Sequence, residues 1–426
     1  MAGVVVVGGG AAGCGAAVAA AKVGADVTLL ERTDMLFGGA NRAGRFNYNG
    51  EMVGINEWKA LGGGEILEAL ESIVLHRGSI VNEEHTLTYN TAIAEPTVRS
   101  VVEKHKVNIH LEARVVDVIK EGESIIKKVI LADGSEIEGD VFVDATGSSG
   151  GVSVCTKYGK GCVMCTYYRC PLFGDRVSIA TKAGARSFYR SRPDGTPGTV
   201  GAAVGLYKGS LSSEIIAKLK KDGVITIPLP KELVDYGKLD LIGATRTREQ
   251  MEYINLVDIG ATAKCVGLVY LSLEKIRKLP GFERAVIEDP LGGGKFNVIG
   301  NIDICLTDSS FKVEGFRNLF ASGNKMGMGG VAHCIMTGYL SGNNAARAAA
   351  GKDPLVLPRT LVMGDFIQTI TDLMVKENAP PKGYVLGHGV FFEKMKANGL
   401  YPQTPEEIGL RVEKEGLAGI LSQKVC

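Results

Sequence analysis

Four consecutive valines, residues 4–7, run directly into Gly8-Gly9-Gly10-Ala11-Ala12-Gly13. This opening constrains the fold more than any other stretch. A short β-branched run reads as a parallel strand buried on both faces. Residues 11–23 are alanine-rich and predict a helix that Gly24 ends. Residues 25–31 predict a second strand closing at Glu31. Strand, turn, helix and strand make a βαβ unit with a right-handed crossover, and hence a parallel sheet. The glycines match G-x-G-x-x-G, and each has a physical task. Gly8 permits the turn, Gly10 lets the backbone approach a pyrophosphate, and Gly13 lets the helix pack on the strand. The helix N-terminus offers unpaired N–H groups and a partial positive charge to phosphates. Glu31 stands where an acid binds ribose hydroxyls.

Composition narrows the classes further. The chain has 426 residues, beyond the ~250–300 at which one hydrophobic core stops growing. Apolar residues make up 45%, which excludes a disordered chain. Lys plus Arg is 48 and Asp plus Glu is 47, so the net charge is +1 and no global field attracts polyanions. A nucleic-acid partner is therefore not expected. The 57 glycines show no three-residue period, which excludes collagen. No long apolar span is free of glycine and charge, so no membrane helix is expected. The apolar N-terminus lacks a basic leader, so a signal peptide is not expected either, and the reading is cytoplasmic. Nine cysteines, an odd number, point to thiols, metal ligands or redox chemistry rather than a disulfide scaffold.

Along the chain, residues 51–100 read as a helical insertion and residues 107–118 as a strand. Residues 125–132 and 136–143, around the Asp133-Gly134 turn, read as a hairpin. Residues 151–310 are less regular and hold most of the cysteines. Residues 319–322 form another short apolar strand. From Gly329-Gly330 the pattern turns helical to Ala349. The last 70 or so residues read as helical, with a capping box at Thr404-Pro405-Glu406-Glu407.

Three further segments narrow the choice of dinucleotide. Glu31-Arg32 is followed by Gly38-Gly39. Asp144-Ala145-Thr146-Gly147 closes the strand at 141–143. Leu319-Phe320-Ala321-Ser322-Gly323-Asn324 precedes a glycine-rich turn and a long small-residue helix. In this order they resemble the FAD-binding proteins of the glutathione-reductase-like superfamily. The opening resembles the FAD-dependent oxidoreductases, a group akin to the flavoprotein subunit of heterodisulfide reductase and to tRNA-modifying flavoproteins. The resemblance covers about 150 residues in three blocks.

It implies an α/β fold: a Rossmann-like FAD-binding domain, three-layered around a parallel sheet, with an inserted α+β substrate domain and a helical C-terminal region. The FAD domain would comprise residues 1–150 and 311–350, the substrate domain 151–310, and the helical region 351–426. Gly8, Gly10, Ala11, Ala12 and Gly13 would hold the pyrophosphate. Glu31 would bind the adenosine ribose, with Arg32 beside the adenine and Val115 pairing its backbone with it. Gly38, Gly39, Asn41 and Arg42 would face the flavin end. Ala145, Thr146 and Gly147 would pass near the nucleotide, and Gly323 and Asn324 would meet the ribityl chain. Many relatives carry Asp at the Asn324 position, but an amide also accepts from a hydroxyl. The helix beginning at Gly330 and Val331 would point its N-terminus at the flavin pyrimidine edge, where negative charge collects on reduction.

Candidates for chemistry come next. His333 lies in the first turn of that helix, either as a packed histidine or as a group that tunes or protonates the flavin. Arg45 follows the Gly38-Gly39 turn, as an anion-binding cation or a plain arginine. Cys155, Cys162, Cys165 and Cys170 fall close together. Four thiolates in a short loop suit a [4Fe–4S] cluster or zinc. Cys162 and Cys165 alone suit a redox dithiol, and buried thiols acting as small hydrophobes remain an alternative. No second G-x-G-x-x-G follows a strand, so no separate NAD(P)H domain is expected. The reading is an FAD-dependent oxidoreductase with two-electron transfer at the flavin. Its substrate would be a small molecule or a disulfide, with a protein electron donor as one option and a homo-oligomer expected. A flavin/iron–sulfur electron-transfer subunit and a tRNA-modifying flavoenzyme are the alternatives.

Overall fold

The computed structural model describes residues 3–46, 49–80, 83–147, 177–189, 203–238, 248–266, 273–289, 303–378, 385–387 and 389–426. The valine run forms β1 (Gly3–Val7), and α1 (Ala11–Lys22) and β2 (Asp26–Leu30) complete the crossover. β1 lies between β2 and β10 (Val141–Asp144), parallel to both. β18 (Leu319–Ala321) and β6 (Asn108–His110) add the outer parallel strands, giving the order β18-β10-β1-β2-β6. The fold is α/β, with a parallel Rossmann-like sheet and helices in the C-terminal region.

Small residues let two helices approach to backbone contact on one face of this sheet. α8 (Val331–Ala349) packs along α1. A methyl group at Gly338 would sit 2.1 Å from Ala12 O, and one at Gly342 would sit 2.1 Å from Ala16 O. Any side chain at these positions would force the helices apart.

Residues 51–100 depart from the expected helical insertion. They hold α2 (Glu51–Ala60) and α3 (Glu65–Ser72), then the antiparallel pair β4 (Val74–Ile80) and β5 (Glu83–Tyr89), then α4 (Ala94–Lys104). β3 (Arg45–Phe46) pairs with β5. β5 is buried on both faces from Thr86 to Tyr89, one face carrying Thr86 and Thr88 and the other Leu87 and Tyr89, so no aliphatic run marks it.

The single strand expected at 107–118 is two. β6 ends at His110 in the parallel sheet, Glu112 turns at φ +56°, and β7 (Val115–Glu121) starts a separate antiparallel sheet. β8 (Ile125–Leu131) and β9 (Glu136–Glu138) complete that sheet. The expected second hairpin strand therefore ends at Glu138. Gly139-Asp140 then carries the chain into β10, anchored by Gly3 N–H donating to Asp140 Oδ2 at 2.8 Å.

α5 (Ile179–Ala183) follows, and β11 (Ser187–Tyr189) pairs with β17 (Asp303–Cys305). A second body forms an antiparallel sheet in the order β13-β14-β15-β12-β16. Its strands are β12 (Ala203–Tyr207), β13 (Val224–Pro228), β14 (Tyr253–Asp258), β15 (Thr262–Val266) and β16 (Ile287–Asp289). It has its own core, including Leu206, Leu256, Phe282 and Cys265, covered by α6 (Ser213–Asp222) and α7 (Leu273–Ile276). This body docks beside the glycine-rich segment after β2. Lys264 Nζ donates to Ala43 O, and Thr91 Oγ1 donates to Ile259 O at 2.9 Å.

The C-terminal helices are α9 (Val362–Glu377), α10 (Gly389–Ala397) and α11 (Pro405–Lys414). The capping box forms as the sequence indicates: Thr404 N–H donates to Glu407 Oε2 at 2.7 Å, and Glu407 N–H donates to Thr404 Oγ1 at 3.2 Å. Glu57 of α2 caps α9, accepting from Val362 N–H at 2.8 Å and Met363 N–H at 2.9 Å, and Arg411 joins it at 2.8 Å. Burial pushes the Glu57 carboxyl up, which the helix N–H groups and the guanidinium oppose. Among the described residues no helix is long and apolar enough to cross a membrane.

Candidate functional site

Parallel strands bring their C-terminal ends to one edge, where open α/β sheets bind ligands. Four of the segments singled out from the sequence meet there: Gly8 after β1, Glu31 after β2, Ala145-Thr146-Gly147 after β10, and Gly323-Asn324 after β18. The glycine turn is built as its motif requires. Gly8 adopts φ +102° and has no room for a side chain, since a methyl would lie 2.6 Å from Ala145 O. A methyl at Gly13 would lie 1.7 Å from Gly8 O. Gly10 differs, for a methyl there meets nothing within 4 Å. Gly10 thus faces open space at the N-terminus of α1, whose first turn has no side-chain cap.

Glu31 is buried and oriented by the protein. Its Oε2 accepts from Gly9 N–H at 2.7 Å, and its Oε1 accepts from Thr33 N–H and Oγ1, both at 2.9 Å. Ala113 N–H donates to Glu31 O at 2.8 Å, which places the start of β7, with buried Val115, near the acid. Phe37 N–H donates to Gly9 O at 2.7 Å, so the segment after β2 folds back across the glycine turn. That segment then forms a 3₁₀ turn over Gly38–Arg42. Within it Asn41 Nδ2 donates to Leu36 O at 2.8 Å, while its buried Oδ1 has no partner among the described residues. Arg45 lies in β3, paired with Thr88 of the antiparallel sheet rather than at the edge of the parallel one.

At the other end, Gly323 N–H donates to Thr337 Oγ1 at 3.0 Å, and the buried Ser322 Oγ has no partner among the described residues. α8 starts from Gly330 at φ +106°, again without a side-chain cap. His333 is fully buried in its first turn. Its Nε2 accepts from Leu386 N–H at 3.3 Å, and its Nδ1 faces Glu51.

Asp144 is the residue whose role the sequence reading missed, although it stands inside a quoted motif. It is fully buried, and its Oδ1 accepts from Thr146 Oγ1 at 2.6 Å and Thr146 N–H at 3.1 Å. Its Oδ2 accepts from Ser178 Oγ at 2.6 Å and Ala180 N–H at 3.0 Å, tying the end of β10 to the start of α5. An acid closing an apolar strand was the available signal. Glu51 and Leu386 had no signal, being distant from His333 in sequence.

Cys14, one helical turn into α1, is inert. Its thiol donates to Gly9 O at 3.2 Å, and burial pushes it up to about 12. Cys155, Cys162, Cys165 and Cys170 lie outside the described residues. Among the described residues no group of three or more His, Cys, Asp or Glu is placed to hold a metal ion. The described residues give no support to the iron–sulfur cluster that was one of the readings of these cysteines.

The residues present fit a dinucleotide with a flavin end. Two helix N-termini without a side-chain cap, room beside Gly10, an acid already oriented by the protein, and Asn41 Oδ1 and Ser322 Oγ without a partner among the described residues suit such a ligand. Fold and edge together define a Rossmann-type dinucleotide-binding protein. Residues 3–153 match the family described as FAD dependent oxidoreductase.

Its relatives extend beyond this region. The methylenetetrahydrofolate–tRNA-(uracil-5-)-methyltransferase TrmFO of Pelotomaculum thermopropionicum is 26% identical over 97% of this chain and 94% of that protein. The protein of the same name from Synechococcus elongatus is 39% identical, but over 18% of this chain and 16% of its own length. Among solved structures, Aquifex aeolicus GidA in its form I crystal superposes with a TM-score of 0.67 at 18% identity. That superposition covers 98% of this chain and 76% of GidA, a likeness of fold. The tRNA in the relatives' name runs against the expectation, drawn from a net charge of +1, that nucleic acid has no part here.

Proposed function

We propose that this chain is an enzyme that binds FAD along the C-terminal edge of the parallel sheet and performs two-electron chemistry at the flavin. The observation that carries this reading is the pair of facing, uncapped, glycine-led helices, α1 and α8, with the oriented Glu31 beside the first. In this reading Gly8, Gly10 and Gly13 admit the pyrophosphate to the N-terminus of α1. Glu31 binds the adenosine ribose, with Arg32 and Val115 at the adenine end. Gly38, Gly39 and Asn41 hold the flavin end, and the free Asn41 Oδ1 accepts a hydrogen bond from it. Thr146, Gly147, Gly323 and Asn324 line the chain between. The N-terminus of α8 at Gly330 and Val331 offsets the negative charge of the reduced flavin.

One substrate class is favoured by a specific observation, the near end-to-end match to a tRNA uracil methyltransferase. In this second reading the substrate is a uracil base of tRNA. Methylenetetrahydrofolate carries its one-carbon unit at the formaldehyde level, so delivery as methyl needs two more electrons, which bound reduced FAD would supply.

The test starts with an absorbance spectrum of the purified protein and identification of the flavin released by heat. Stoichiometric FAD is expected, and protein that neither retains nor rebinds FAD overturns the flavoenzyme reading. The holoprotein is then given unmethylated tRNA, methylenetetrahydrofolate and a reductant. Formation of 5-methyluracil supports the tRNA reading. Intact FAD with no methylated base and no salt-sensitive tRNA binding removes it and leaves the oxidoreductase reading with a small-molecule or disulfide substrate.

A further inference from the structure

The side chains of His333 and Glu51 are 0% and 1% exposed, and His333 Nδ1 lies 3.2 Å from Glu51 Oε1. The approach is within reach but poorly aligned, so Nδ1 has no well-formed acceptor. The other ring nitrogen decides the tautomer. Nε2 accepts from Leu386 N–H at 3.3 Å. A nitrogen that accepts a hydrogen bond carries no proton, so the neutral ring holds its proton on Nδ1, toward the carboxylate.

Three elements enforce this arrangement. His333 stands in the first turn of α8, and Glu51 is the first residue of α2. Leu386 is held over both, since Asn49 Nδ2 donates to Gly387 O at 2.8 Å. Gly50 and Gly54 of the α2 region leave room for it: a methyl at Gly50 would lie 2.4 Å from Leu386 O, and one at Gly54 would lie 2.8 Å from Leu386 Cδ1. The Phe366 ring closes the side, its centroid 5.4 Å from that of the imidazole. Glu51 is the first residue of α2, and its carboxylate lies against the first turn of α8, where a helix end carries partial positive charge.

We propose that Glu51 is a positioning residue. It faces the Nδ1–H that the Leu386 N–H bond leaves on His333, and it supplies the negative charge beneath the N-terminus of α8. Because Nε2 is occupied by a backbone N–H, His333 has no lone pair to offer a substrate. It acts through its orientation and its partner's charge, which narrows the two roles left open by the sequence to tuning. The effect on the flavin rests on the flavoenzyme reading above, whereas the tautomer does not.

The experiment is two-bond ¹⁵N–¹H correlation on purified protein labelled in histidine, with the His333 signals assigned by their loss in His333→Asn. The expected wild-type pattern is a protonated Nδ1 and an unprotonated Nε2. Glu51→Gln keeps an oxygen acceptor and should keep that pattern while moving the flavin midpoint potential upward, because a negative charge is lost. Glu51→Ala also removes the charge and should move the potential the same way, with the tautomer kept by Leu386 N–H. Wild-type His333 protonated on Nε2 overturns the proposal, and this arm needs no variant to fold. An unchanged potential in Glu51→Gln also overturns it. Protein without FAD defeats the flavoenzyme reading, and the tautomer arm still decides this one.

Discussion

The two facing helices α1 and α8 begin alike and differ in what fills their first turns. Each starts at a glycine with no side-chain cap. α1 opens with Ala11, Ala12, Gly13 and Cys14, whose single titratable group is an inert thiol. α8 opens with Val331, Ala332, His333 and Cys334, and its histidine is wired to a carboxylate of another helix. In the proposed reading the first helix therefore offers shape and a dipole to a group that keeps its charge. The second carries an adjustable electrostatic partner. A cofactor that is constant at its phosphates and variable at its ring matches that division.

The comparison is broken most severely within the glycine turn itself. Gly13→Ala should cost several kcal/mol and lose cooperative folding, because its methyl would penetrate backbone that cannot move. Gly10→Ala should leave the melting temperature nearly unchanged and weaken FAD binding at least tenfold, because its methyl enters only the space reserved for ligand. Calorimetry and FAD titration of the pair separate the two roles. Equal stability losses would show that Gly10 is a packing residue after all.

A smaller effect is expected at the end of β10. Asp144→Ala strips the acceptor from four donors and should cost about 3 kcal/mol in denaturant unfolding. A loss below about 1 kcal/mol would mean that water replaces the carboxylate there, and that the edge of the sheet is looser than its hydrogen bonds imply.

The smallest effect is a pH dependence on the α8 side. Glu65 takes hydrogen bonds from Lys22 Nζ and from Tyr339 of α8, the latter at 2.9 Å. Burial alone would raise its carboxyl, but these donors and the Lys22 charge together hold it below the ordinary range. A depressed acid stabilises the fold above its unfolded value, near pH 4.3, and that contribution fades as pH falls through the depressed value. Glu65→Gln should therefore unfold more easily than wild type at pH 7, by at most about 1 kcal/mol. The gap should close in acid. A gap independent of pH would assign the loss to packing.

The first helix was legible because local physics writes it in consecutive residues. Four valines, a glycine turn and an alanine run require no distant partner to be read, and Glu31 follows at the end of the next strand. The strand and long helix around Gly323 and Gly330 were legible for the same reason. What was not legible depends on contacts across the chain. β5 buries Thr86 and Thr88 on one face, a pattern that propensity does not weight as core. The break between β6 and β7 turns on a left-handed Glu112, a residue type with no preference for that conformation. The Glu51–His333 contact joins residues that only the packing of α2 on α8 brings together. The second sheet, from β12 to β16, carries no motif, and the expectation of an inserted α+β domain at 151–310 named none of its strands.

The backbone contact between α1 and α8 also sets how this protein tolerates change. Where side chains interdigitate, a substitution adjusts a spacing by fractions of an ångström, and a family of variants grades smoothly in function. Here Gly338 and Gly342 place main chain against Ala12 and Ala16, so the gap between the helices has no side chain to trim or extend. The two ends of the site are held apart by a ruler without graduations. Variation in this protein is therefore confined to what stands at the ends of that ruler, in the loops and first turns.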